Sequence, residues 1–128
     1  MSRDIVALVS TMPDVSAVLA GMAAAGEDLL VLPFAADTVV TLADAPDGQT
    51  ARPLLTVGEP ILVSVPGEVE RLLGAEVARQ VSTPLWWIEV RAAATPEHAF
   101  DIAYRFATAL VDRLGGAVWP VERDRAPR

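Results

Sequence analysis

The chain has 128 residues, 17 of them acidic and 10 basic, with no cysteine and a net charge of −7. That length is one ordinary domain, able to bury most of its apolar surface without metals or disulfides, and the lack of cysteine excludes a disulfide framework or a thiolate site. The negative charge sets the domain against nucleic-acid backbones and acidic lipid headgroups, so neither nucleic acid nor membrane is expected as a partner.

In chain order, DIVALVS at 4–10 is a nearly continuous apolar run with β-branched residues, as expected of a central strand covered on both faces. The period then changes. Thr11 can cap a helix with Pro13 and Asp14 in its first turn, Val15, Val18, Leu19 and Met22 as its apolar stripe and Gly26 as its stop. DLLVLPF and DTVVTLAD read as strands with a bend at FAAD, residues 34–37, between them. Asp47-Gly48 favours a tight turn, so TVVTLAD and ARPLLTV should pair antiparallel. The return strand is broken at GEP, 58–60, and resumes as the β-prone ILVSV.

Pro66-Gly67 opens a short helix with apolar positions Val69, Leu72 and Leu73, which Gly74 weakens or divides before AEVARQV. PLWWIEVRAAA is the next strand. Thr95, Pro96 and Glu97 start a long helix that stops at Gly115-Gly116, after which AVWP is extended. The order predicts an α+β fold: a ferredoxin-like βαββαβ core with an additional C-terminal helix, one domain over 4–121, and a charged, disordered tail at 122–128. No apolar run approaches the roughly 20 residues that span a bilayer, and the N-terminus lacks a basic signal-peptide region, so a cytoplasmic location is expected. All the basic residues are arginine, which fits the codon bias of a high-GC genome.

Neighbours on a strand point to opposite faces, so Trp86, Ile88 and Val90 should enter the core while Leu85, Trp87, Glu89 and Arg91 face away. An indole beside a carboxylate and a guanidinium is the mixture found at interfaces and small-ligand sites. Two other arrangements stay open: Trp87 covered by the last helix or by Trp119, or a bulge turning both indoles inward. The last helix is apolar around most of its circumference, with only Asp101, Arg105, Thr108 and Asp112 clearly wet. One sheet face needs an apolar arc of little more than about 100°. The helix should therefore have two apolar neighbours, either the sheet plus AVWP, which the sequence favours, or the sheet plus another subunit.

Catalytic constellations are scarce. The single histidine, His98, stands at the start of the last helix, and one histidine without cysteine cannot make a typical zinc site or a Cys-His pair. No serine sits in a G-x-S-x-G elbow, and no glycine pattern forms a phosphate loop. No metal and no cofactor are expected.

The segments PGEVERLLG, PLWWIEVRA and RLGGAVWP together resemble a family of small proteins from high-GC Gram-positive bacteria. The resemblance spans roughly residues 4–121 and implies a small cytoplasmic domain without assigned activity, so it carries no catalytic residue onto this chain. The expected function is a non-enzymatic interaction or regulatory domain, as a homodimer or with another protein, using Trp87, Glu89, Arg91 and His98 as its candidate surface. The alternative is a small-molecule-binding protein or cofactor-independent enzyme of the dimeric α+β barrel type. That reading requires Glu89, Arg91 and His98 to converge as acid, anion anchor and base.

Overall fold

The computed structural model describes residues 3–26, 28–32, 38–48 and 50–121. Strands β1 (Arg3–Val9), β2 (Leu30–Leu32), β3 (Thr38–Asp44), β4 (Arg52–Gly58), β5 (Ile61–Val63), β6 (Leu85–Ala92) and β7 (Gly116–Trp119) form one antiparallel sheet. Helices α1 (Val15–Ala25), α2 (Glu68–Leu73), α3 (Ala75–Ala78) and α4 (Ala99–Leu114) complete a mixed α+β fold. The tail at 122–128 and the bend expected at 34–37 lie outside the described residues.

Local chemistry accounts for most element ends. The Asp14 carboxylate accepts the Ala17 N–H at 2.8 Å, so Asp14, a stronger cap than threonine, starts α1 in place of Thr11. Gly26 closes α1 by donating its N–H to the Met22 carbonyl, and Gly74 separates α2 from α3 as the sequence suggests. The β3–β4 hairpin forms around a 3-10 turn at Pro46–Gly48, and β4 ends at Gly58 before the chain resumes as β5.

Strand order departs from expectation. A ferredoxin-like core built from the strands as read in sequence would put β4 beside β1 and leave β6 at an edge. The order is instead β2-β3-β4-β6-β1-β7, with β5 beside the N-terminal half of β6. Strand β6 lies between β1 and β4, and AVWP supplies a further strand on the other side of β1. Periodicity marks where strands occur but says nothing of their neighbours. β1 and β6 share the longest regular register, running from Arg3 opposite Ala92 to Val9 opposite Trp86, and both are largely buried, which suits them to the centre. At Gly116 the backbone turns back onto β1 with φ +137°, and a Cβ there would collide with the Leu8 carbonyl oxygen, so only glycine lets β7 pair this closely.

Alternation splits β1 between two cores. Ile5, Ala7 and Val9 enter the larger one beneath α4, while Val6 and Leu8 enter a smaller one with Val69 of α2 and Val77 of α3. Helix α4 lies on β1, β4, β6 and β7, and α1 packs chiefly against α4. That contact uses Ala17, Gly21 and Ala25, all buried; of the expected stripe, Val18 and Met22 pack half-buried against the same core, while Val15 and Leu19 are 74% and 56% exposed. The fully buried Phe106 ring explains this rotation of the buried side: a Cβ on Gly21 would stand 2.9 Å from Phe106 Cε2, so a small residue there allows the helices to approach.

The second apolar neighbour of α4 is thus principally α1 of the same chain. β7 contributes less, through Val118, and just beyond it the Pro120 carbonyl accepts the hydroxyl of Tyr104 of α4 at 2.8 Å. Among the described residues no helix is long and apolar enough to cross a membrane.

Candidate functional site

The pleat of β6 separates the adjacent indoles as its sequence requires. Trp86 packs with Ile88, Val90 and Ala92 against the larger core, and Trp87 with Leu85 against the smaller one. Neither ring is free, because both are half-buried. The second face of β6 is graded: Leu85 is buried, Trp87 half-buried, Glu89 and Arg91 exposed. Helices α2 and α3, with six and four residues, are too short to cover the whole strand.

Where that cover ends, a cleft of about 410 Å³ opens between β5, β6 and α2. Trp87 lines it together with Ile61, Leu62, Val65 and Leu72, and the last four are 49–62% exposed. Ile61 stands directly opposite Trp87 across the β5–β6 pair. Two carboxylates complete the lining. Glu89 accepts the indole N–H of Trp87 at 3.3 Å, and Glu68 is gripped by Arg71 through bonds of 2.6 and 2.9 Å. Those hydrogen bonds from Arg71 hold the Glu68 carboxyl below the usual carboxylate range.

Of the four residues singled out in the sequence, the fold brings Trp87 and Glu89 together. Arg91 donates to Asp4 at 3.0 Å and lines a separate hollow of about 190 Å³ with Thr56 and Pro53. His98 immediately precedes α4, which packs against the larger core, on the face opposite Trp87. Near His98, the Asp44 carboxyl is held below its ordinary value, first by hydrogen bonds of 2.7 and 3.1 Å from Arg52 and to a lesser extent by His98 itself. The acid, anchor and base grouping of Glu89, Arg91 and His98 is therefore not assembled on one surface.

Sequence reasoning did not mark Ile61, Leu62, Val65 or Leu72 as site residues. A signal was available in ILVSV, an uncharged stretch bracketed by Pro60 and Pro66 beside a helix too short to hide it. Among the described residues, no group of three or more histidine, aspartate or glutamate side chains is arranged to hold a metal ion. The cleft joins an apolar seat to two carboxylates, an arrangement suited to binding an apolar group that carries a positive charge. Fold and cleft together define an α+β domain with an open apolar surface. Compared with family models, curated proteins and solved structures, the chain matches none.

Proposed function

We propose that this chain is a non-enzymatic protein-interaction domain whose contact surface is the Trp87 cleft. The observation that carries the reading is the exposure of Ile61, Val65 and Leu72 around one half-buried indole. Contiguous apolar surface rimmed by charge is characteristic of interaction sites, and a partly buried tryptophan at its centre is the kind of residue that dominates interface energy. Self-association through α4 loses its support, since α1 takes up the surplus apolar arc of that helix. A second copy seated on the cleft would also bring Glu68 and Glu89 toward their own equivalents on a chain of net charge −7. The partner is accordingly a different protein.

A finer reading of the fold accompanies this. Strands β7-β1-β6-β4, with α1 and α4 on one side, have the arrangement of a ferredoxin-like core assembled from other strands than the sequence suggested, with β2 and β3 extending one edge. A second functional reading, a small-molecule site, is favoured by the cleft volume of about 410 Å³, within the range of ligand pockets.

The test is selection from a displayed library of random nonapeptides against the native protein and Leu72→Arg in parallel. Leu72 is 49% exposed, so the variant should fold. Enrichment on the native protein and its loss on the variant are expected. No enrichment, or the same clones on both, would overturn the proposal; a fragment-sized ligand displaced by Leu72→Arg, without peptide binding, would favour the second reading.

A further inference from the structure

The two carboxylates of the Trp87 cleft differ in how their charge is met. Glu68 is neutralised where it stands, by the Arg71 guanidinium at 2.6 and 2.9 Å. Arg91, the next side chain beyond Glu89 on that face of β6, is turned to the Asp4 carboxylate of β1 at 3.0 Å. Glu89 therefore keeps its charge. Its carboxylate accepts the indole N–H of Trp87 at 3.3 Å, and among the described residues it meets no cation. A neutral donor of this kind orients a carboxylate without cancelling its charge. The Glu89 side chain is exposed and lines the same cleft as Trp87, Ile61 and Leu72, so an uncompensated negative charge borders an apolar seat.

Resting on the interaction-domain reading, we infer that Glu89 sets the specificity of the cleft for a basic partner. The partner seats an apolar side chain on Trp87 and Leu72 and places a lysine or arginine beside it, with the cation on Glu89. Charge selects this occupant from the many that an apolar seat alone would accept. The free carboxylate at the margin repels an acidic segment and attracts a basic one. Lysine and arginine suit the site in a second way, because their aliphatic stems can lie along apolar lining while the charged head stays in water at the rim. The indole adds to the same preference, since the face of a tryptophan ring attracts a cation. A second copy of a chain with net charge −7 is disfavoured by that same field. Glu68, already held by Arg71, contributes little to the selection.

The experiment uses the peptides selected on the native protein, resynthesised with a fluorescent label for anisotropy titrations. They should share a lysine or arginine close to an apolar residue. Replacing that base by glutamine should weaken binding to the native protein about fivefold, and by glutamate about tenfold. Glu89→Gln retains an acceptor for the indole N–H and removes the charge. With an unchanged thermal melt, it should weaken the basic peptide about fivefold and make the glutamine replacement in the peptide nearly silent. Asp112→Asn makes the same change of net charge at an exposed residue of α4, across the sheet from the cleft, and should leave the affinity nearly unchanged. An equal loss with Asp112→Asn would mean that the overall charge of the chain attracts the base, and would overturn the inference. Selected peptides without a base, or a base whose replacement costs as much on Glu89→Gln as on the native protein, would overturn it while leaving the interaction reading standing. A native dimer broken by Leu72→Arg would assign the cleft to a second copy and overturn it as well. Failure to select any peptide would remove both readings together.

Discussion

Truncating each indole of β6 separately tests whether the sheet has a packed core on both faces. A tryptophan wholly withdrawn from water buries about 150–250 Å², and its loss typically costs about 3–5 kcal/mol. Trp86 and Trp87 are each half-buried, one against the larger core and one against the smaller. Water can enter the space left by a ring with one open edge, so the cavity contribution is reduced and about 2 kcal/mol is expected for each alanine variant. In a domain of this size that corresponds to a fall in Tm of about 6–12 °C. Urea denaturation followed by far-ultraviolet circular dichroism is the appropriate assay, because fluorescence would change with the indole itself. The two losses should be similar and the double variant close to their sum, since the rings occupy separate cores. Only Trp87→Ala should also abolish peptide selection. A loss above about 3 kcal/mol for Trp86→Ala with less than about 0.5 kcal/mol for Trp87→Ala would refute the reasoning, for Trp87 would then make no core with α2 and α3.

Two further perturbations address helix packing and charge. Gly21→Leu should destabilise by about 1–2 kcal/mol, because crowding against Phe106 outweighs the gain in helix propensity, whereas Leu19→Ala on the exposed face should stay within about 0.5 kcal/mol of the native protein; the opposite ranking in thermal melts would mean that α1 buries its larger residues. Arg52→Ala should raise the Asp44 pKa toward its ordinary value, as followed by carboxyl NMR titration. The native Asp44 pKa is depressed by folding, so its stabilisation is complete above the unfolded pKa and disappears as pH falls through the folded one. The stability difference between native and Arg52→Ala proteins should accordingly be small at neutral pH, given the exposure of the pair, and close in acid below the ordinary carboxylate range.

Much of the local structure was legible in the residues. The strand at 4–10, the hairpin about Asp47-Gly48, the break at GEP, the division at Gly74 and the stop after Leu114 all follow from periodicity and turn chemistry, which act over a few neighbouring residues. The separation of Trp86 from Trp87 was likewise contained in the pleat of a strand, so part of the candidate site could be read from sequence. What the alternation could not supply was the identity of the covering layers. Two short helices bury Leu85 and half of Trp87, yet leave Glu89 and Arg91 in solvent.

Tertiary structure alone decided the place of β6 between β1 and β4, the use of AVWP as a strand, and the choice of Ala17, Gly21 and Ala25 over Val15 and Leu19 as the buried side of α1. It also decided that His98 and Arg91 stand apart from Trp87, and that Ile61, Val65 and Leu72 gather around it. Apolar periodicity states how much of a segment must leave water but not which neighbour removes it. That choice depends on strand register and on close packing between residues distant in the chain, as where the Phe106 ring of α4 leaves room in α1 for glycine but not for leucine.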